Sequence, residues 1–143
     1  MPVPRRLLGA AAVFILALGI APKGDSRESE MRVRELRALR PTHGTFTIVG
    51  FLSQAYHCPP CPVGTYCQAC IGSHAVLSDA RHHVKSYEDL GPADAIVFAS
   101  DTELQKLVIG NRYRVRVEVE PTRTTSMRMN DLKLLTVDPA GSR

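Results

Sequence analysis

The chain has 143 residues, 44% of them hydrophobic and 22% charged, with four cysteines, no tryptophan and a formal net charge of +4. That length holds one domain with one modest core. The charge is small and the aromatic residues are only four tyrosines and four phenylalanines, so a nucleic-acid partner is not expected. Such a partner asks for a basic surface interleaved with stacking rings.

Arg5 and Arg6 precede an uncharged run of 15 residues, Leu7 to Ala21. A basic start, a short apolar run and a small-residue exit describe a secretory signal. A helix crossing a bilayer needs about 20 apolar residues, so the run is short for a permanent anchor. Residues 1–21 are therefore expected to be a signal peptide and the protein to be exported, periplasmic or secreted. No stable membrane span would remain once the signal is removed; an uncleaved N-terminal membrane anchor is the alternative. Ala17-Leu18-Gly19 supplies small residues for cleavage, and Pro22 stands just past Ala21. Loss of Arg5 and Arg6 lowers the net charge to +2.

Residues 22–41 are polar and highly charged, and read as a linker or a short helix. Asp25 and Glu28 are the candidate cap, Met31, Leu36 and Leu39 a thin apolar stripe, and Pro41 the stop. Arg32, Arg34, Arg37 and Arg40 are interleaved with Glu28, Glu30 and Glu35, which makes an ordinary mixed-charge face.

The domain proper is expected over residues 42–138. Thr45 to Leu52 is rich in β-branched and aromatic residues and reads as a strand, with Gly50 marking a bulge or a sharp bend. Ala75-Val76-Leu77 forms a short second strand, residues 81–92 a polar loop, and Ala95 to Ala99 a third strand. Asp101 to Leu107 fits a short helix capped by Ser100 or Asp101. In the fourth strand Tyr113, Val115, Val117 and Val119 alternate with Arg112, Arg114, Arg116, Glu118 and Glu120, a period of two that separates a core face from a charged one. Residues 122–130 read as a loop or hairpin, Leu132 to Val137 as the last strand, and 139–143 as a disordered tail.

Five strands, one short helix between the third and fourth, and a glycine bend in the first predict a mainly β protein. The fold expected is a small five-stranded Greek-key, OB-like barrel. The segments Thr47-Ile48-Val49-Gly50-Phe51, Cys58-Pro59-Pro60-Cys61-Pro62 with Cys67 and Cys70, and Ile109-Gly110-Asn111-Arg112-Tyr113-Arg114-Val115 resemble small exported bacterial OB-fold-like proteins with a cysteine-rich insertion. The similarity spans roughly residues 45–137. Those proteins have no established activity, so the resemblance implies a fold and a compartment rather than a reaction.

All four cysteines lie in the insertion, residues 57–72, as two Cys-x-x-Cys pairs with five residues between them. In an exported chain structural disulfides are the expected state. Opposed residues of an antiparallel hairpin keep a constant index sum, which nests Cys58–Cys70 outside Cys61–Cys67 around Val63-Gly64-Thr65. Pro59, Pro60 and Pro62 lack N–H donors, so such a hairpin would be loose and shaped by its bridges. Pairing within each Cys-x-x-Cys would close very small loops instead. The alternatives are a zinc site on Cys58, Cys61, Cys67 and Cys70, for which the spacing between pairs is short, and thiol redox chemistry, for which no helix N-terminus follows Cys58. Haem attachment is excluded, because Pro62 and Ile71 follow the second cysteine of each pair.

His57, His74, His82 and His83 lie near the cysteines in sequence and read as loop histidines rather than metal ligands. No hydrolase elbow, phosphate loop or catalytic carboxylate pair is present, and Ser53, Ser73 and Ser78 stand in no nucleophile motif. No catalytic residue, cofactor or metal is therefore expected. The function expected is that of a non-catalytic binding or interaction module, its ligand an unknown protein or small molecule. Tyr56, Tyr66 and the row Arg112, Arg114 and Arg116 are the candidate ligand-binding residues. The simplest account of those arginines is a solvated face balanced by Glu118 and Glu120.

Overall fold

In the computed structural model of the chain, residues 29–67, 70–121 and 131–141 are described. The signal segment, the Asp25–Glu28 cap, the loop over 122–130 and the last two residues of the tail lie outside them. Strand β5 (Arg112–Glu120) carries the clearest pattern: Tyr113, Val115, Val117 and Val119 are buried, and the charged residues between them face water. Its neighbour β2 (Gly44–Tyr56) contributes Ile48 and Leu52 to the same core, with Phe46 and Ala55 packed at its margin.

The remaining elements are β1 (Met31–Arg32), α1 (Val33–Leu39), β3 (His74–Ser78), β4 (Asp94–Phe98), α2 (Asp101–Leu104) and β6 (Asp131–Pro139). They form one six-stranded sheet in the order β1-β2-β3-β4-β6-β5, in which β5 also pairs with β2. The described residues are mainly β, with two α-helices. The expectation of five strands is corrected to six, while α1 falls in the stretch read as a linker or short helix and α2 where the helix between the third and fourth expected strands was placed. The sheet is also not a clean barrel: β4 and β6 run parallel and share only the pairs Val97–Leu132 and Phe98–Lys133. The extra strand is two residues long, too short to leave a periodic trace in the sequence, and it lies parallel to Ile48 and Val49 of β2.

Residues 33–39 form a helix, and its buried residues are Val33 and Leu36. The expected stripe of Met31, Leu36 and Leu39 is only partly right. The helix starts at Val33, and each step of three residues falls about 60° short of a full turn. Leu39 has therefore drifted about 120° from Val33 and is 63% exposed. The first-turn N–H groups are met by a distant carboxylate: Val33 donates to Asp79 Oδ1 at 2.8 Å and Arg34 to Oδ2 at 3.4 Å. Glu35 reaches back to the Arg32 N–H at 2.9 Å. Two of the arginines are structural. Arg34 pairs with Asp79 at 2.6 Å, and Arg37 donates to the carbonyls of Gly91 and Asp94, tying α1 to the start of β4.

Of the two readings of Gly50, a bulge or a sharp bend, the bulge does not fall on it. The bulge falls at Ser53, where the β2–β3 register shifts between Leu52 and Gln54. Gly50 instead lets β3 and α1 approach: a Cβ there would lie 3.0 Å from the Ser78 carbonyl and 3.2 Å from Val33 Cγ2.

The loop over 79–93 is not only polar. Val84 is fully buried and, with Leu90, covers Val76, Ile96 and Phe98 on the outer face of β3 and β4. Both faces of those strands are thus covered, which is why their sequences read as nearly unbroken apolar runs. The cap of α2 is as expected: Ser100 accepts from the Glu103 N–H, and Glu103 Oε2 accepts from the Ser100 N–H at 2.8 Å. The helix stops at Leu104 and continues as turns to Leu107.

Two substitution pairs test this frame in denaturant titrations. Val117→Asp buries an unpaired carboxylate and should abolish cooperative unfolding, while Arg116→Asp on the opposite face should shift the midpoint only slightly. Asp79→Ala should cost about 1–2 kcal/mol, because it strands helix N–H groups. Arg34→Ala, which removes a largely exposed partner, should cost less than about 1 kcal/mol.

Candidate functional site

Residues 57–73 leave β2 and return to β3 without forming a strand or helix among the described residues. Cys58 is bonded to Cys70 and Cys61 to Cys67, with Cα separations of 6.1 and 5.8 Å, and none of the four cysteines is free. This is the nested arrangement with the constant index sum. Four thiolates for zinc are not available while the sulfurs are paired with one another. Among the described residues no group of three or more His, Cys, Asp or Glu side chains gathers as a metal site. At the inner end Thr65 donates its N–H to Pro62 O at 3.2 Å and its hydroxyl to the same oxygen at 2.7 Å. Gly64, at φ +84°, closes that turn in a conformation other residues rarely adopt.

The base of the loop is fixed by polar contacts to α2. Ser73 Oγ accepts from the Cys58 N–H at 2.9 Å, and His57 Nδ1 lies 3.0 Å from Asp101 Oδ1. The Ser73 hydroxyl, then His57, hold the Asp101 carboxyl below its usual range. The Ser73 hydroxyl thus faces a carboxylate and a backbone N–H, which ties the loop down rather than activating a nucleophile.

Between this loop and residues 85–87 lies a groove of about 730 Å³. Its organising group is His74 of β3, which is fully buried. The Gly72 carbonyl lies 2.7 Å from Nδ1 and can only accept, so Nδ1 carries the proton. Nε2 then accepts from the Tyr87 hydroxyl at 3.2 Å. The imidazole is stacked against Tyr56 at 5.2 Å and tilted against Tyr87 at 5.6 Å, and Phe98 meets it edge-on at 6.1 Å. Burial holds its pKa below the ordinary histidine value, against the opposing pull of the Gly72 carbonyl. Burial, and then the neighbouring Tyr56, push the Tyr87 hydroxyl up, so it remains a donor.

The candidate residues are distributed over two places. Tyr56, at the end of β2, lines the groove and is 39% exposed; Tyr66 is 102% exposed at the tip of the cysteine loop, beside Val63 at 104%. Arg112, Arg114 and Arg116 lie elsewhere, opposite Phe51, Val49 and Thr47 of β2, and Arg114 pairs with Glu30. His82 Nε2 lies 3.1 Å from Asp94 Oδ1, and His74 has both nitrogens engaged. Sequence reasoning missed His74 and Tyr87 as a pair, because their contact bridges two segments with no shared period. One signal was available: from Pro41 to Ser78 the chain has no Asp, Glu, Lys or Arg, although loops ordinarily carry charge.

No helix among the described residues is long and apolar enough to cross a membrane. Comparison with protein-family models, with curated proteins and with solved structures found nothing that matches this chain.

Two measurements test the site. Replacing Cys61 and Cys67 together by Ala should leave one intact bridge and no titratable thiol. Replacing Cys58 and Cys61 should leave two orphaned sulfurs that mispair or dimerise under non-reducing electrophoresis. For His74, the folded state disfavours the imidazolium, so the unfolded chain binds the proton more tightly. Stability should fall as pH drops below about 6.5 toward the lowered folded value, and be fully present above that window. Losses from Asp101 and Glu103, whose pKa values are also lowered, come further down, in the carboxylate range. His74→Gln should remove the higher of these two transitions from an unfolding series over pH.

Proposed function

We propose that the protein is an exported, non-catalytic binding module with an OB-like core, and that it takes its ligand in the groove between the cysteine loop and residues 85–87. The hydrogen-bonded neighbours run β2-β3-β4-β6-β5 and back to β2, with β4 and β6 parallel and α2 lying between β4 and β5. That ordering supports an OB-like reading of the core, to which β1 and α1 are additions. Two disulfides in a loop with no regular structure fit an oxidising compartment. They support the reading of residues 1–21 as a signal.

The observation that carries the binding assignment is the groove and the loop that walls it. A Pro-rich, uncharged loop is cross-linked twice at the surface, outside the main core, and its walls meet an aromatic group built on a buried histidine. Exposed Val63, Tyr66, Ile71, Tyr56 and Tyr87 lie on this loop and on the two segments it meets. Of these, Tyr56, Ile71 and Tyr87 line the groove together, and exposed apolar surface gathered in this way marks an interaction site. The arginine row is a basic stretch elsewhere, but Arg114 is engaged with Glu30, and Glu118 and Glu120 follow it on the same strand.

Two experiments test the proposal. A fusion of residues 1–24 to a reporter active only outside the cytoplasm should give signal, and acidic substitutions at Arg5, Arg6, Phe14, Ile15 and Leu16 should abolish it. A photoreactive residue at Gln54 or Lys85 in the groove should crosslink to a discrete partner in cells, whereas one at Leu39 or Val108 should not. Equal labelling from all four positions would reject the groove as the site.

A further inference from the structure

The groove's lining is selective in its chemistry. Two tyrosine rings, 39% exposed at Tyr56 and 49% at Tyr87, are seated on buried His74, so their orientations are set before any ligand arrives. Pro59, Pro60 and the two disulfides supply further wall that has few rotamers to lose. No carboxylate lines the groove, and Lys85 is its one ammonium or guanidinium group among the described residues. The Tyr87 hydroxyl is directed to His74 and the Ser86 hydroxyl to Asp89 at 3.4 Å. The side-chain donors left to a ligand are the Gln54 amide, the Tyr56 hydroxyl and the Lys85 ammonium.

A site of this kind suits a rigid, apolar ligand that offers carbonyl acceptors and few N–H donors. We infer that the groove takes a proline-rich segment of a partner protein in the polyproline II conformation. Such a segment has no internal hydrogen bonds, leaves its carbonyls free, lacks an N–H at every proline, and docks on aromatic-lined grooves at low entropic cost. Other ligand classes fit less well. A nucleic-acid strand needs several cations along its phosphates, and the groove has Lys85 alone. A saccharide presents hydroxyl donors in need of paired acceptors, and no carboxylate is there to accept them. Strand addition needs an open sheet edge, and β3 is paired with β2 on one side and β4 on the other. The inference rests on the groove being the binding site, and its test keeps the two questions apart.

The full-length oxidised chain is titrated with a capped synthetic peptide of alanine–proline–proline repeats and followed by amide chemical shifts. Shifts are expected to cluster at Gln54, Tyr56, Lys85 and Tyr87. Tyr56→Ala should weaken binding about tenfold or more, as truncation of an aromatic anchor does. An unchanged unfolding midpoint and unchanged amide shifts remote from the groove in Tyr56→Ala guard against reading a folding defect as lost affinity. Leu39→Ser and Val108→Ser should leave the affinity unchanged, and a glycine–serine peptide of equal length should cause no shifts. Absence of peptide-induced shifts, shifts scattered away from the groove, or equal response to the glycine–serine peptide would overturn the inference. If crosslinking from Gln54 and Lys85 persisted in that case, the ligand class alone would be wrong; loss of both would reject the groove.

Discussion

The structure depends on one strand serving two partners. β2 pairs with β5 along Gly44 to Phe51 and with β3 along Phe51 to Tyr56, so the chain must turn sharply between the two ladders. The bulge at Ser53 makes that turn, and the Leu52 N–H, the Leu52 carbonyl and the Ser53 carbonyl beside it find partners. Leu52 donates to Asn111 O at 2.9 Å and accepts from the Gly110 N–H at 2.7 Å. Buried Ser53 donates its hydroxyl to Ser78 Oγ at 2.6 Å. An unpaired polar group at this depth would cost about 1–3 kcal/mol, so the bend is tenable only with these contacts made. The bulge also shifts the alternation: Leu52 packs into the core before it and Ala55 after it, while Gln54 and Tyr56 line the groove.

What was legible in the sequence followed from local period. The alternation of β5, the Ser100–Glu103 cap and the β-branched run of β2 each state their geometry within a few residues. The disulfide pairing was legible for a related reason, since a hairpin ties index to position. What was not legible depended on contacts between distant segments. Asp79 caps a helix 46 residues away, and nothing around it marks it as a cap. Gly50 signals irregularity in a strand, but its physical cause is the approach of Val33 and Ser78 from elsewhere. Val84 lies in a stretch whose composition is polar, and only the outer face of β3 and β4 gives it somewhere to be buried.

The cysteine loop shows a division of labour between bonds and packing. None of its residues belongs to the main buried cluster, so hydrophobic burial does little to define its path. Three prolines narrow the unfolded chain already. The bridges span 6 and 12 residues, one doubling, so the outer closes the loop with only about 0.6 kcal/mol more entropic benefit than the inner. Their larger effect is geometric: with Ser73 and His57 holding the base to α2, they keep an uncharged, proline-bearing surface in one place.

The described core beneath is closely packed. The void among Ala75, Leu77, Val97, Tyr113, Val115 and Leu134 amounts to about 10 Å³, room for at most about one water. At the groove, by contrast, the surface is open and pre-arranged. His74 is the reason. Buried and neutral, with one nitrogen on the Gly72 carbonyl and the other on Tyr87, it joins the end of the cysteine loop to residues 85–87 through a single ring. Tyr56 of the bent β2 stacks on that ring from a third segment. Protonating Nε2 would remove the acceptor of the Tyr87 hydroxyl while leaving the Gly72 bond in place, and removing the imidazole would release all three segments at once, so the groove and the fold around it share a dependence on one uncharged histidine.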